Sequence, residues 1–358
     1  MASGRRQLIL KAHKVISIAG DGIGQEVTPI AIDVVNKVAE IDSFRVEWKS
    51  VDWGSDYFHK HGRMMPVDGL EIMSKSDAIY LGAIGSPDIP DHETLWGLLI
   101  PIRREFDQYI NLRPIKSLSG IPGPLSSQEP IDMLIVRENT EGEYSPIGGK
   151  FAANSDYETA LQVAVFSRRG ISRVTKYAIQ RARERKKYLV SATKSNGIIY
   201  SMPFWDEVVH ELLAENKDIS SRDFLIDALA AALILQPQNF DVIVASNLFG
   251  DILSDLAAAL VGSIGIAPSG NINPERRYPS MFEPVHGSAP DIAGKGLANP
   301  IGAIRAAAMM LEHLGESRAA ERINGAVEQT LKSGVATRDL GGSSTTLEFG
   351  RKVLEELS

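Results

Sequence analysis

The stretch from residue 241 to residue 273 constrains the fold most, because it joins an apolar strand to a helix that carries two acids. The continuous apolar run at residues 241–246 is typical of a strand buried in a parallel sheet. The helix predicted after it places Asp251 and Asp255 one turn apart on one face, and a segment rich in Gly, Pro, Ser and Asn ends it. Mg²⁺ and Mn²⁺ favour carboxylate ligands. The same spacing is more often two exposed acids stabilised near a helix N-terminus, so the rest of the chain must decide.

Composition excludes several classes of protein. The chain has 358 residues, of which 44% are hydrophobic and 23% charged, as in ordinary globular proteins. A net charge of −7 argues against a nucleic-acid or anionic-membrane partner. The sequence contains no Cys, which excludes disulfides, thiolate zinc sites and a cysteine nucleophile. Residues 1–15 lack the apolar core of a secretion signal, and residues 225–235 are too short to span a bilayer. We therefore expect a cytoplasmic protein.

The order of the predicted elements indicates an α/β architecture. Continuously apolar strands alternate with helices, which is typical of sheets covered on both faces. The first strand ends in a turn that contains Gly20, Gly22 and Gly24, spaced G-x-G-x-G rather than G-x-G-x-x-G, and no acid ends a second strand convincingly. The sequence therefore argues against a Rossmann fold.

Three arginines and one isolated acid are the other candidate site residues. Arg103, Arg113 and Arg137 are predicted at the ends of neighbouring elements, and guanidinium groups bind carboxylates through two hydrogen bonds at once. Each alone is more often a surface salt-bridge partner. Asp227 is the single acid on an apolar helix predicted to be buried at residues 224–234, where it is costly unless paired or metal-bound. The basic helix at residues 171–187 is predicted to be a solvated face.

Together these segments resemble a known family. The motifs NLFGDILSDLA, LRP with the preceding RR, VRENTEGEYS and EPVHGSAPDIAGKGLANP are similar to those of the β-decarboxylating hydroxyacid dehydrogenases, which act on isopropylmalate, isocitrate, homoisocitrate, tartrate or D-malate. The likeness spans roughly residues 15–354. The segments RENTEGEYS, LWGLLIPIRR and SIGIAPSGNI most resemble the tartrate and D-malate (decarboxylating) dehydrogenase branch.

The resemblance implies an isopropylmalate/isocitrate dehydrogenase-like fold with two domains. The first comprises residues 1–108 and 262–358 and lies on the cofactor side. The second comprises residues 109–261, carries the dimer interface and the substrate and metal site, and contains a β clasp at about residues 142–168. The Gly20–Gly24 turn is implied to lie near the nicotinamide. A homodimer with shared active sites follows from the same resemblance.

The roles implied for the substrate side come from both copies of the chain. Arg103, Arg113 and Arg137 match the arginines that bind the substrate carboxylates. Asp251 and Asp255 match the metal ligands of one subunit, and Asp227 matches a ligand from the partner. Lys194, also from the partner, matches the base, and Tyr144 matches the acid. The implied metal is Mn²⁺ or Mg²⁺, and a requirement for K⁺ stays open.

The resemblance also assigns the cofactor, NAD. The residues implied to contact it are Glu283, His286, Gly287, Ser288, Ala289, Asp291, Asn299 and Asn196. Asp291 matters most, because a carboxylate accepts the ribose hydroxyls but repels a 2′-phosphate, whereas the NADP users of the family place a Lys there. We therefore expect NAD to be preferred.

The implied reaction is NAD- and metal-dependent oxidation, with or without β-decarboxylation, of a small 2-hydroxy diacid such as tartrate or D-malate. The alternative is 3-isopropylmalate. In isopropylmalate enzymes a Glu precedes Gly-Leu-Leu, but here Leu95 and Trp96 stand there. Leu98 and Leu99 are predicted to line the pocket at C3, which suits hydrogen or an alkyl group. The Ser and Asn that recognise the extra carboxylate of isocitrate are absent from this helix.

Two other classes of function stay open. A regulatory paralogue that binds ligand without catalysis should lack several of the implied catalytic and metal residues, and all of them are present. A metal-dependent hydrolase or lyase built on the two aspartates would not need a loop for adenosine. NAD binding separates that class from a dehydrogenase.

Overall fold

A computed structural model describes residues 11–125 and 129–357. Residues 1–10 and 358, which the sequence assigns to the first domain, lie outside the described residues. So does most of the N-terminal segment that was considered as a secretion signal. Among the residues described, no helix is both long and apolar enough to cross a membrane.

The strands alternate with helices over most of the chain, as the sequence predicts. In chain order, the strands of the described ranges are β1 (Lys11–Gly20), β2 (Phe44–Val51), β3 (Ala78–Ala83), β4 (Ile110–Lys116), β5 (Asp132–Glu138), β6 (Gly148–Phe151), β7 (Thr159–Gln162), β8 (Tyr188–Thr193), β9 (Ser220–Leu225), β10 (Val242–Ala245), β11 (Pro268–Ile272) and β12 (Ser280–Pro284).

The helices follow the same order. They are α1 (Gly24–Asp42), α2 (Ser55–His61), α3 (Gly69–Met73), α4 (Asp91–Thr94), α5 (Ile100–Glu105), α6 (Arg168–Arg183), α7 (Ser201–Glu215), α8 (Ile226–Leu235), α9 (Asn247–Leu260), α10 (Ile301–His313), α11 (Ser317–Lys332) and α12 (Thr346–Glu356). A π-helical turn, Leu95–Leu99, connects α4 to α5. Short 3₁₀ turns occupy Pro237–Asn239, Ile264–Ile266 and Arg338–Leu340.

The described chain divides into two compact units, residues 1–98 with 281–358 and residues 99–280. The sequence placed the boundaries at 108/109 and 261/262 instead. Residues 262–280 belong to the second unit because β11 pairs with β4, and buried polar groups join residues 99–108 to this segment. Gln108 Nε2 donates to the Pro279 carbonyl at 2.8 Å, and Asn111 Nδ2 donates to Asn271 Oδ1 at 2.9 Å.

The first unit is built on strands in the order β2-β1-β3-β12, and β1 is parallel to both β2 and β3. Its helix α1 buries the side chains of Val27, Val34 and Val35 on one face, at the spacing that one side of a helix requires. The helix packs against α10 and α12, which belong to the C-terminal part of the chain. Both ends of the chain therefore share one core.

The second unit has strands in the order β11-β4-β5-β10-β8-β9. Strands β5, β10, β8 and β9 are parallel, whereas β4 is antiparallel to both β5 and β11. The antiparallel direction of β4 does not follow from the sequence, because an apolar run does not encode the direction of its neighbour. Helix α9 packs against β4, β5 and β10.

A two-stranded hairpin lies in the region predicted to form a clasp. Strands β6 and β7 are antiparallel, with Gly148 opposite Gln162, and an isolated bridge joins Gly142 to Val165. The side chains of both strands are exposed. Whether this hairpin pairs with a second copy stays a prediction.

The prediction for α8 was wrong for the single chain. The helix begins at Ile226 rather than 224, because Phe224 and Leu225 complete β9. Asp227 is exposed rather than buried, and Ile234 and Leu235 on the same helix are exposed as well. The hydrophobicity of this segment predicts burial, but an apolar helix is equally compatible with burial by another molecule.

Candidate functional site

Helix α9 carries the core of the candidate site on one face. Asn247, Asp251, Ser254 and Asp255 stand at positions i, i+4, i+7 and i+8, which share one side of a helix. Strand β10 ends at Ala245, two residues before the helix begins. The predicted strand-to-helix junction and the shared face of the two aspartates are therefore present.

Arg137 is held against this face near the end of β5. Its Nε and Nη2 both donate to Asn247 Oδ1, at 3.0 and 2.7 Å, and its Nη1 donates to Asp251. The side chain lies across Gly250, where an added Cβ would be 2.6 Å from both Cβ and Cγ of Arg137. A glycine is therefore needed at position 250 for the arginine to take this path.

Arg113 approaches the same face from β4. Its Nε donates to Asn111 Oδ1 at 2.8 Å, and its Nη1 donates to Ser254 Oγ at 2.9 Å and to Asp255 at 3.2 Å. The sequence placed Arg113 at an element end, but it lies within β4, opposite Ile135 of β5. The antiparallel register brings it to the site.

Arg103 and Tyr144 complete the cluster in the second unit. Arg103 lies on α5, and its charge contributes to lowering the pKa of Asp251. The Tyr144 hydroxyl donates to Asp251 Oδ2 at 3.0 Å, and Arg104 donates to the Tyr144 carbonyl at 2.8 Å. Burial and then the Asp251 charge raise the pKa of Tyr144, so its hydroxyl keeps its proton.

The two aspartates differ in charge environment. Burial alone would raise the pKa of Asp251, but Arg137 and Arg113 outweigh it and lower the value. The pKa of Asp255 is raised, first by burial and also by the neighbouring Asp251. Both side chains reach solvent, being 33% and 55% exposed. Two hard-oxygen donors one turn apart, with mutual repulsion that a cation would relieve, fit the implied divalent metal ion.

Lys194 and Asp227 form a separate pair in the second unit. The Lys194 ammonium, just after β8, donates to Asp227 Oδ1 at the start of α8 at 2.8 Å. This hydrogen bond lowers the pKa of Asp227. Within residues 11–125 and 129–357, no three His, Cys, Asp or Glu side chains form a group that could hold a metal ion. Asp227 therefore does not join Asp251 and Asp255 within one chain.

The loop after β12 holds most of the predicted cofactor residues, in the first unit. Its backbone lies against the first glycine turn, where the amide of Ile23 donates to the Ser288 carbonyl at 2.8 Å. Gly22 has φ +52°, and an added Cβ would lie 2.0 Å from the same carbonyl oxygen. Gly20 and Gly24 similarly face backbone oxygens of Ala83 and Ala19. These glycines serve close backbone packing, which agrees with the prediction against a Rossmann motif.

The carboxylate of Glu26 on α1 holds the far end of the loop by accepting the amides of Gly294 and Gly296 at 2.6 and 2.9 Å. His286 Nε2 is buried and has no hydrogen-bond partner among the described residues. Burial lowers the pKa of His286, so its ring is neutral at pH 7. An unpaired polar atom in a loop fixed by backbone contacts fits a bound dinucleotide.

The other predicted cofactor residues have different surroundings. Glu283 and Ser288 are buried, Ala289 has φ +41°, and Gly287 and Asp291 are exposed. The side chain of Asn299 is hydrogen-bonded within the protein, since Nδ2 donates to Asp339 and Oδ1 accepts the Ile301 amide. Asn196 lies exposed after β8, in the second unit.

The residues expected to line the pocket at C3 of the substrate are buried. Leu98 is fully buried and Leu99 nearly so, which contradicts the expectation that both line a pocket. The π-helical turn directs Leu98 into the core, whereas Leu95 and Trp96 are 37% and 38% exposed. Leu95 and Trp96 are thus the accessible apolar groups of this turn.

Sequence reasoning missed the neutral groups around the arginines. Asn111, Asn247, Ser254 and Gly250 all contact an arginine of the site or give it space. The helical spacing from Asp251 could have identified Asn247 and Ser254. Nothing in the sequence pattern pointed to Asn111, which depends on the antiparallel register of β4.

Known proteins are similar to this chain over nearly its whole length. The family model for isocitrate/isopropylmalate dehydrogenase matches residues 14–353. The probable tartrate dehydrogenase/decarboxylase of Bacillus subtilis (strain 168) is 48% identical over 352 residues, covering 98% of this chain and 99% of the relative. The decarboxylating D-malate dehydrogenase of Escherichia coli (strain K12) is 51% identical over 349 residues, covering 94% and 96%. The crystal structure of isocitrate dehydrogenase from Methylococcus capsulatus matches with a TM-score of 0.89 at 34% identity, covering 96% of this chain and 99% of its own.

These similarities confirm the predicted family and the predicted α/β fold class. The family consists of dehydrogenases that depend on NAD or NADP and a divalent metal ion, and that act on small hydroxy acids. The chain belongs to the isocitrate/isopropylmalate dehydrogenase family.

Proposed function

We propose that the chain oxidises a small 2-hydroxy diacid, D-malate or tartrate, with NAD and Mn²⁺ or Mg²⁺, with or without loss of CO₂. The observation that carries this proposal is the α9 face, where Asp251 and Asp255 meet Arg113 and Arg137 beside the Tyr144 hydroxyl. The relatives named for tartrate and D-malate support the choice of substrate.

Each group of the site has a chemical task in this reaction. The guanidinium groups of Arg103, Arg113 and Arg137 bind and orient the substrate carboxylates. A divalent metal ion would be held by Asp251 and Asp255 and would supply positive charge that stabilises negative oxygen, and a bound NAD would supply the hydride acceptor. Tyr144, protonated at neutral pH, gives its proton to the enolate carbon after CO₂ leaves.

Lys194 is the proposed base that removes the hydroxyl proton. Its ammonium donates a hydrogen bond to Asp227, so both residues would belong to the same active site. We assign both to the site of a second copy of the chain. Asp227 would then approach the metal carboxylates from the partner.

The proposed substrate is tested by measuring NADH production with Mn²⁺ for D-malate, L-tartrate and 3-isopropylmalate. We expect kcat/KM for D-malate or L-tartrate to exceed that for 3-isopropylmalate. 3-Isopropylmalate stays the second candidate because Leu95 and Trp96 expose apolar surface that suits an alkyl group. The highest kcat/KM for 3-isopropylmalate would replace the proposal by this alternative.

The proposed catalytic roles are tested with Lys194→Met and Tyr144→Phe. Loss of a proton donor or acceptor lowers turnover by about a hundredfold or more. Turnover within threefold of the wild type in either variant would remove that residue from the mechanism. Measuring pyruvate or oxidised product separately from NADH shows whether decarboxylation or oxidation is affected.

A homodimer with shared sites is the proposed assembly. Leu235 on α8 is 76% exposed and Ile252 on α9 is 54% exposed, and apolar helix surface of this kind marks protein interfaces. Mixing inactive Lys194→Met and Asp251→Asn chains after subunit exchange tests this directly. Half of the dimers would be mixed, each with one intact site, so about a quarter of wild-type activity should return. If both residues act within one chain, the mixture stays inactive.

A further inference from the structure

Two arginines outside the site donate their Nε to carboxylates. Arg183 Nε donates to Asp218 at 2.7 Å, and Arg185 Nε donates to Asp241 at 2.7 Å. An ion pair of this kind fixes the guanidinium group and neutralises its charge at the same time. The charge is then satisfied by the protein itself.

The two arginines on the α9 face are held differently. Arg113 Nε donates to Asn111 Oδ1 at 2.8 Å, and Arg137 Nε donates to Asn247 Oδ1 at 3.0 Å. Both acceptors are uncharged amide oxygens. A neutral acceptor fixes the orientation of a guanidinium group and leaves its charge available.

The amide groups of these asparagines are themselves fixed. Asn247 Nδ2 donates to the Glu141 carbonyl at 3.0 Å, and Asn111 Nδ2 donates to Ser269 Oγ at 3.0 Å. Both side chains are buried. Because the amide nitrogens face acceptors, each carbonyl oxygen must face its arginine.

The choice of amide over carboxylate sets the charge of the cluster. Arg113 and Arg137 form ion pairs with Asp251 and Asp255, and the amide groups of Asn111 and Asn247 add no further negative charge to them. Carboxylates at positions 111 and 247 would add two negative charges beside these arginines. Such charges would repel a dianionic substrate.

We propose that Asn111 and Asn247 are positioning residues that orient the two arginines without neutralising them, and so determine the affinity for a diacid. This inference rests on the proposed function, since it takes the arginines as the carboxylate-binding groups. It assigns to two uncharged residues a part in substrate specificity. Neither residue contacts the substrate in this proposal.

The test compares Asn247→Asp with Asn247→Ala, in the presence of Mn²⁺. Asp keeps the size and an acceptor oxygen but adds a negative charge, whereas Ala removes both. We expect the KM for D-malate to rise at least about tenfold more in Asn247→Asp than in Asn247→Ala, and kcat to change by a smaller factor than KM in both variants. A merely structural role would give the opposite order.

Asn273→Asp is the matched control. Asn273 is also buried, its Nδ2 donates to the Asp107 carbonyl at 3.0 Å, and its Oδ1 accepts the Arg277 amide at 2.9 Å. It makes the same kind of contacts as Asn247 but none with an arginine side chain. The control should lose thermal stability to a similar degree, with an unchanged KM for D-malate.

Malonate binding, measured by calorimetry with Mn²⁺, separates this inference from the proposed reaction. If the wild type binds malonate, and Asn247→Asp and Asn111→Asp weaken binding more than the alanine variants do, the inference stands even without turnover of D-malate or tartrate. Malonate affinity in the Asp variants equal to or tighter than in the Ala variants would overturn it. Absence of malonate binding to the wild type would overturn the anion site itself.

Discussion

The α9 face and the loop after β12, two candidate sites in different units, are built in opposite ways. The α9 face is formed by charged side chains, in which the buried Arg113 and Arg137 pair with Asp251 and Asp255, and the two aspartates reach solvent. The loop after β12 is fixed by backbone contacts, such as that of the Ser288 carbonyl with the turn at Gly22. A charge cluster selects ligands by charge and can be altered by conservative changes of side chain. A loop fixed by backbone contacts selects ligands by shape, and its selectivity changes only where the backbone conformation changes.

Arg137→Lys is the change expected to have the largest effect on this comparison. Lysine cannot span Asn247 and Asp251 as the planar guanidinium does, so the diacid loses an oriented partner. We expect kcat/KM for D-malate to fall by about a thousandfold, with the KM for NAD within about threefold. Arg185→Lys, which changes an arginine paired with Asp241 away from α9, should leave both constants unchanged. If Arg137→Lys weakened NAD binding as much as D-malate binding, the α9 face and the loop after β12 would not be independent.

Gly22→Ala tests the loop after β12. The residue has φ +52° and its Cβ would lie 2.0 Å from the Ser288 carbonyl oxygen, so the loop must move. The KM for NAD should rise by about thirtyfold or more, and the melting temperature should fall, whereas malonate affinity stays the same. Gly325→Ala in the exposed part of α11 has space for the added methyl group and should be neutral or slightly stabilising. A normal KM for NAD in Gly22→Ala would mean that the loop does not bind the cofactor.

Asp291→Lys should change how the loop after β12 selects between cofactors of different charge. Asp291 is exposed, and a lysine there would attract the 2′-phosphate that the carboxylate repels. We expect the ratio of kcat/KM for NADP to that for NAD to rise by about tenfold to a hundredfold. Asp88→Lys, at another exposed acid of the first unit, is the control for net charge. A wild type that already prefers NADP would show that Asp291 does not select the cofactor.

The smallest expected effect is the pH dependence that His286 gives to stability. Burial lowers its folded pKa below 6.5, so the unfolded chain binds more protons as the pH falls through 6.5. This residue therefore contributes full stability above pH 6.5 and loses it as the pH falls towards the folded pKa. The melting temperature of the wild type relative to His286→Asn should decrease between about pH 7.5 and pH 5.5. A constant difference over that range would show that the ring titrates normally.

Much of the fold follows from local sequence patterns. The helical spacing of Asp251 and Asp255 and the glycine-dense turn at residues 20–24 are properties of a few consecutive residues, and the structure has both. The direction of β4 depends on a neighbouring strand distant in sequence, and so the strand position of Arg113 could not be deduced. The exposure of α8 could not be deduced either, since periodicity does not tell which molecule covers an apolar face.

The charged residues of the candidate site could be predicted from the sequence, whereas its neutral residues could not. Arginines and aspartates in a strand-and-helix framework attract attention because few structural roles require several of them together. Neutral residues such as Asn111 and Ser254 have many structural uses, so their sequence positions carry no functional signal. Their part is visible only from which arginine atoms they contact.

The shared core of the two chain ends has a consequence for synthesis on the ribosome. Helix α1 emerges early, but two of its packing partners, α10 and α12, are translated late, and Ile30 lies where a side chain at Gly350 would clash. The nascent helix therefore lacks these partners until almost the entire polypeptide has left the exit tunnel. Residues 99–280, contiguous in the message, can acquire their structure in the meantime.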